Sequence, residues 1–153
     1  MHKDNPWKGK LELESLCEAY PPLTAYVVDG KSGKTVRWHE GDAQRAVLIA
    51  IMRRDLRIEN YSVPVGNLVP TIPSRANYVL WVRDVVNTVV PGSTVDKLTS
   101  GERKIDLMDI GTGTSAVMLL LGKHLCGWRG VGMEIDEDAS KVAAENVEGV
   151  DGV

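Results

Sequence analysis

"DLMDIGTGTSAVMLLLG", residues 106–122, decides the fold. With its flank, "KIDLMDI" (104–110) reads as a compact strand. Gly111 and Gly113 form a turn, and an apolar helix runs from Ser115 to about Leu125. Downstream, "GWRGVGMEID" (127–136) holds a second strand and "EDASKVAAENV" (137–147) a second helix. Strand, helix, strand and helix joined by tight loops are the opening of a doubly wound parallel sheet. The fold class is therefore α/β, an incomplete Rossmann-like βαβα unit over residues 104–153.

Upstream the rhythm differs. Residues 1–10 read as a polar arm, and "LELESLCEAY" (11–20) as a short helix stopped by Pro21-Pro22. "AYVVDGKSGKTVRW" (25–38) has the strand–turn–strand pattern of a hairpin, with Asp-Gly and Ser-Gly as turn residues. Asp42 is placed to cap a helix running to Leu56, with Ala43, Ala46, Val47, Ala50 and Ile51 inward. "VPVGNLVPTIP" (63–73) is a loop punctuated by prolines. Ser74 then caps "RANYVLWVRDVVNTVV", whose Tyr78, Val82, Val85 and Val89 recur at helical spacing. The reading gives a mostly helical N-terminal module with a hairpin (1–90), a polar linker (91–103) and the partial sheet domain (104–153).

Composition excludes several classes. The net charge is −3, and residues 133–153 carry seven acids and one Lys, a solvated helix face. That balance neither demands nor excludes a nucleic-acid partner. Cys17 and Cys126 form no CxxC pair, which suits a reduced, intracellular setting in nucleus or cytoplasm. The N-terminus lacks the apolar core of a secretory signal, and Ala116–Leu121 is too short to span a bilayer. His39 and His124 form no ligand cluster, so no metal is expected.

Gly111, Gly113 and Ala116 fit G-x-G-x-x-G/A, a nucleoside-cofactor turn, although a loop that merely turns tightly also uses glycines. Asp109 stands two residues before Gly111. Glu134 closes the second strand, where open α/β sheets bind ligands, and a carboxylate there can accept from two ribose hydroxyls. Two ligands compete. NAD places a pyrophosphate on the helix N-terminus, and a carboxylate at the glycines would repel it. S-adenosylmethionine has no phosphate, and its ammonium calls for an acid such as Asp109.

Three stretches, "VPTIPSRANYVLWVRD" (69–84), "DIGTGTS" (109–115) and "GMEID" (132–136), together resemble the methyltransferase-like protein 16 family. Its members are RNA (adenine-N(6)) methyltransferases of the U6 small-nuclear-RNA type and bacterial ribosomal-RNA large-subunit methyltransferase F relatives. "MHKDNPW", "AYPPL" and "AQRAVLIAIMRRDL" extend the likeness over Met1 to Val147. The resemblance implies S-adenosylmethionine as cofactor and structured RNA as partner. It implies that Arg75 grips the cofactor's carboxylate, that Gly111 makes the backbone contact and that Glu134 binds the ribose. Asp109, Gly113 and Ser115 complete the turn. Asn77, Tyr78 and Trp81 match the family pattern too, and as residues of one helix they read as core and cap. His2, Lys3, Asn5, Lys8 and Lys10 fall where the family has an RNA-contacting arm; the same residues also read as a frayed polar terminus.

Thr114 and Met133 depart from the usual alanine and threonine. The family's acceptor motif, Asn-Pro-Pro-aromatic, does not occur in the 153 residues. The expectation is a truncated half with no catalytic residue of its own, weak cofactor binding and no RNA methylation alone. The two strands are also expected to leave an apolar sheet edge open to another chain. Rival readings are a non-catalytic fragment or pseudoenzyme, a relative of small-molecule amine N-methyltransferases, and an NAD-dependent oxidoreductase fragment.

Overall fold

The computed structural model of the chain describes residues 1–89 and 105–153. The linker assigned to 91–103 lies outside the described residues. The elements run α1 (Leu13–Ala19), a 3-10 turn (Pro21–Tyr26), β1 (Val27–Gly30), β2 (Gly33–Val36), α2 (Gly41–Leu56) and α3 (Ile72–Val89). They continue with β3 (Asp106–Ile110), α4 (Val117–Cys126), β4 (Arg129–Met133) and α5 (Glu137–Val147). β1 and β2 pair antiparallel as the expected hairpin, and β3 and β4 pair parallel, Asp106 opposite Arg129 and Ile110 opposite Met133. The βαβα order of an α/β sheet is thus present.

One buried cluster ties the two ends of the sequence together. Leu16, Leu23, Leu48, Ile51, Met52, Ile72 and Val79 share it with Leu120, Leu121 and Trp128. Burying each such side chain stabilises by roughly 1.5–3 kcal/mol. Within residues 1–10, His2, Asn5 and Trp7 are buried and anchor the segment rather than leaving it a loose arm. Trp7 is buried and its Nε1 donates to Asp55 Oδ2 on α2 at 2.7 Å. Asn5, 1% exposed, donates through Nδ2 to Pro73 O at 2.8 Å. His2 is buried too. Its backbone N–H donates to Asn77 Oδ1, and its Nε2 lies 2.8 Å from Asp84 Oδ2.

Several helix starts differ from expectation. α2 begins at Gly41 with Glu40 as N-cap, and Asp42 lies inside the first turn, where its carboxylate takes Arg45 Nη1 at 2.6 Å instead of capping. α3 begins at Ile72, with Arg75 N–H donating to Thr71 O, so Ser74 is not its cap. The buried face of α3 is Ile72, Ala76, Val79 and Leu80, whereas Tyr78, Val85 and Val89 from the expected inner stripe are exposed. Trp81 is exposed as well, so neither it nor Tyr78 is a core residue.

The β3–β4 sheet is covered on one face. Gly130 and Gly132 let the Leu119 side chain of α4 lie on β4: a Cβ on Gly130 would stand 2.7 Å from Leu119 Cδ2. On the opposite face Met108, Ile110, Val131 and Met133 are all exposed. Beside β4, Gly130 N–H donates to Gly152 O at 2.9 Å. No described helix is long and apolar enough to cross a membrane.

Candidate functional site

The glycine turn sits where β3 ends. Gly111 (φ 79°), Gly113 (φ 61°) and Ala116 (φ 46°) all occupy left-handed backbone, which explains two glycines here. Ala116 is the N-cap residue of α4, so that helix starts at Val117 rather than Ser115. The turn's amides are already engaged. Gly111 and Thr112 N–H both donate to Met133 O, at 2.8 and 3.1 Å. Gly113 N–H donates to Glu134 Oε2 at 2.8 Å. Thr112 Oγ1 donates to Asp109 Oδ2 at 2.8 Å, which turns that carboxylate onto the turn.

Against the turn stands the first part of α3. Between them lies a cleft of about 520 Å³, lined by Arg75, Tyr78 and Ser74 on one side and by Asp109, Gly111 and the segment Thr112–Ser115 on the other. Asn67 and Leu68, from the loop before α3, form its rim. The structure thus brings together Arg75, Asp109, Gly111, Gly113 and Ser115. The Arg75 guanidinium has no ion pair or side-chain hydrogen bond among the described residues. A fork of donors and a carboxylate facing one cleft suit a zwitterion, its carboxylate toward Arg75 and its ammonium toward Asp109.

Glu134 is placed differently. Its carboxylate does not line this cleft but closes the turn from behind, and the residue borders a smaller hollow of about 210 Å³ with Thr112, Ala116 and Gly132. Oε1 accepts from Ile135 and Asp136 N–H at 2.9 and 3.2 Å. Bonds from the amides of Asp136, Gly113 and Ile135 hold the carboxyl below the usual Glu range.

Two residues outside the sequence reading complete the turn's support. Asn146, on α5, is fully buried; it accepts Ser62 N–H at 2.7 Å and donates to Ser62 O (2.7 Å) and Thr114 O (2.8 Å). Tyr61 OH donates to Ser115 O at 2.8 Å, and burial pushes its phenol well above the ordinary value. In sequence neither carries a signal: an Asn in an acidic helix and a Tyr in a loop both read as surface residues.

Of the arm residues, His2 and Asn5 are spent on packing, whereas Lys3, Lys8 and Lys10 are exposed. Lys3 Nζ pairs with Asp4 Oδ1 at 3.1 Å, and Lys10 Nζ reaches Ser32 O at 3.2 Å across the hairpin. Among the described residues no group of three or more His, Cys, Asp or Glu is arranged to hold a metal ion.

Comparison with known proteins gives a consistent set. A family model described as RNA methyltransferase matches residues 1–152. Ribosomal RNA large subunit methyltransferase F of Desulfotalea psychrophila is 31% identical over 144 residues, which cover 94% of this chain and 45% of that protein. U6 small nuclear RNA (adenine-(43)-N(6))-methyltransferase of Caenorhabditis briggsae is 32% identical over 149 residues, 96% of this chain and 29% of that protein. Among solved structures, the N-terminal domain of human METTL16 in complex with SAH superposes with a TM-score of 0.81 at 29% identity, covering 97% of this chain and 54% of that one. The human METTL16 catalytic domain in complex with an RNA hairpin (MAT2A 3'UTR hairpin 6) gives 0.78 at 29% identity, with coverage of 97% and 49%. The chain spans about half the length, or less, of the curated relatives it matches.

Proposed function

We propose that this chain, which belongs to the RNA methyltransferase family, forms the amino-acid-binding side of an S-adenosylmethionine site. The observation that carries the reading is the unpaired Arg75 guanidinium sharing the 520 Å³ cleft with Asp109 and the Gly111–Ser115 backbone. The donor set fits the ligand. Arg75 would take the carboxylate bidentately, Asp109 the ammonium, and Gly111, Gly113 and Ser115 would allow close backbone approach. Engagement of the Gly111, Thr112 and Gly113 amides argues against a pyrophosphate, which needs free N–H groups. That disfavours the NAD reading. Glu134 has one lone-pair direction left on Oε2, so a ribose there must share that oxygen with Gly113 N–H.

When bound, S-adenosylmethionine supplies a sulfonium methyl to an in-line nucleophile. The chain's own residues bind and orient: Arg75 and Asp109 fix one end of the ligand. For the whole protein, the reaction we infer is methylation of an RNA adenine N6, the reaction for which the Caenorhabditis briggsae relative is named. Structured RNA is the inferred partner, with Lys3, Lys8 and Lys10 as phosphate contacts. Free Cys17 and Cys126 suit a reduced compartment, nucleus or cytoplasm. The 1–90, 91–103 and 104–153 division is our reading of the modules, and limited proteolysis with cutting confined to 91–103 would support it.

The test is an amide NMR titration of the full chain with SAH. The expected result is shifts at Gly111, Gly113, Ser115 and Arg75, with a Kd of about 0.1–1 mM, roughly −5.5 to −4 kcal/mol. Arg75→Ala should weaken it about tenfold or more, as for a lost bond to a charged group. Shifts confined to other residues, or equal binding by the Arg75→Ala variant, refute the assignment.

A further inference from the structure

The segment 69–74 has a second concavity on its other side. A slot of about 590 Å³ shares Pro70 and Ser74 with the cofactor cleft, and its floor is apolar, built from Leu48 and Ile51 of α2 and Ile72 of α3. Trp38 stands at its mouth. The Trp38 backbone is fixed, with N–H donating to Val36 O at 2.8 Å and O accepting from Gln44 Nε2 at 2.6 Å. Its indole is nevertheless 46% exposed. An indole held at the edge of an apolar slot is a stacking platform whose ordering cost has already been met by folding.

Charge stands beside it. A small hollow shares Leu11 and Trp38 with the slot and is flanked by Lys10 and Lys34. Lys34 is exposed, and neither lysine has an ion pair among the described residues. The volume lies within the range of small-molecule sites, about 300–1,000 Å³. An apolar peptide would leave the lysine pair unmatched; a nucleotide answers both features, a flat base for the indole and a phosphate for the ammonium groups.

We propose that this slot receives one unpaired nucleobase of an RNA, stacked on Trp38, with its phosphate on Lys10 and Lys34. The inference rests on the RNA reading above and adds a specificity site to it. Thr71 and Ser74 line the slot and would offer hydroxyls to the edge of the base. The slot and the cofactor cleft meet at Pro70 and Ser74, so a nucleotide held here lies beside the cofactor cleft. The chain would select RNA that offers an unpaired base to this slot.

The experiment measures binding of the full chain to two labelled RNAs of equal length, a hairpin with an unpaired loop and a blunt duplex. Trp38→Ala should weaken hairpin binding about tenfold and duplex binding less than about twofold, with Trp38→Phe restoring most of the loss. Equal loss on both RNAs, or no loss on the hairpin, overturns the slot while leaving the RNA reading intact. Absence of hairpin binding by the wild-type chain overturns the RNA reading, and the slot with it. A photo-crosslink from 4-thiouridine placed in the loop of the hairpin gives a second readout on unaltered protein. Attachment at Trp38 or Leu11 supports the proposal, and attachment only elsewhere overturns it.

Discussion

Replacing Asn146 with Ala should damage the site more than any surface change on the same helix. The side chain is fully buried and makes three bonds, two to the Ser62 backbone at 2.7 Å and one to Thr114 O at 2.8 Å. Ser62 is exposed, so water can replace the two bonds there, and each loss costs about 1 kcal/mol net. Thr114 is buried, and leaving its carbonyl unsatisfied costs about 1–3 kcal/mol. The total is about 3–5 kcal/mol, a large share of the roughly 5–15 kcal/mol that stabilises a domain. At about 2–4 °C per kcal/mol for a chain of this size, Tm should fall by about 6–20 °C. Asn146→Asp sharpens the test. A carboxylate facing two carbonyl oxygens cannot donate, and its folded pKa must lie above the unfolded value of about 3.9. A raised folded pKa means stability is present at low pH and lost as pH rises. The Tm deficit of Asn146→Asp relative to wild type should therefore shrink between about pH 7 and pH 4.5. Calorimetry on both variants decides it. A Tm within about 2 °C of wild type for Asn146→Ala, less than 1 kcal/mol, or a deficit for Asn146→Asp that does not change with pH, would refute the reasoning.

Three further outcomes follow from the same geometry. Tyr61→Phe removes the bond to Ser115 O, costing about 1 kcal/mol. It should leave the 295 nm absorbance change up to about pH 11 as in wild type, because the buried Tyr61 phenol titrates above its ordinary value of about 10. Glu134 has a depressed folded pKa, so its contribution is present above the unfolded value of about 4.3 and is lost as pH falls through the folded value. The Tm difference between wild type and Glu134→Gln should accordingly shrink on acidification from about pH 4.3 downward. Gly130→Ala places a methyl 2.7 Å from Leu119 Cδ2 and 3.4 Å from Leu107 O, and chemical denaturation should show a loss of about 1–3 kcal/mol.

What the sequence disclosed depended on how local the determining interaction is. The inward face of α2 was legible in part: Ala43, Ala46, Val47, Ala50 and Ile51 recur at helical spacing and all five are buried, whereas Leu48 and Met52, buried as well, are hidden in the continuous apolar run 46–52. α3 is apolar on more than one side, so spacing could not choose between the Tyr78–Val85–Val89 stripe and the Ile72–Ala76–Val79 face. Packing against α4 chose the second. The β3–turn–α4 unit was legible because its glycines answer a backbone need inside seven residues. Asn146 was not, since its partners lie 84 and 32 positions away. His2 and Asn5 failed for the same reason: polar residues at a terminus read as solvated unless their partners on α3, Asn77 and Pro73, are known.

The arrangement of the cleft follows a single physical logic. Its two walls are fixed from behind. On the α3 side, Asn5 holds Pro73 and His2 holds Asn77, two residues before and two after Arg75. On the other side Asn146, Tyr61 and Glu134 hold Thr114, Ser115 and Gly113. Backbone freedom is thus removed before any ligand arrives, and the remaining ordering cost falls on the Arg75 side chain, about 2 kcal/mol. A neutral hydrogen bond, at about 1 kcal/mol net, would not recover that cost; a bidentate bond to a carboxylate, about twice as strong, does. A phosphate could also satisfy Arg75, but it would meet Asp109 and a turn whose first three amides are already donated elsewhere. We infer that the ligand that gains most here is one that brings a carboxylate and a cation together, as the amino-acid end of S-adenosylmethionine does.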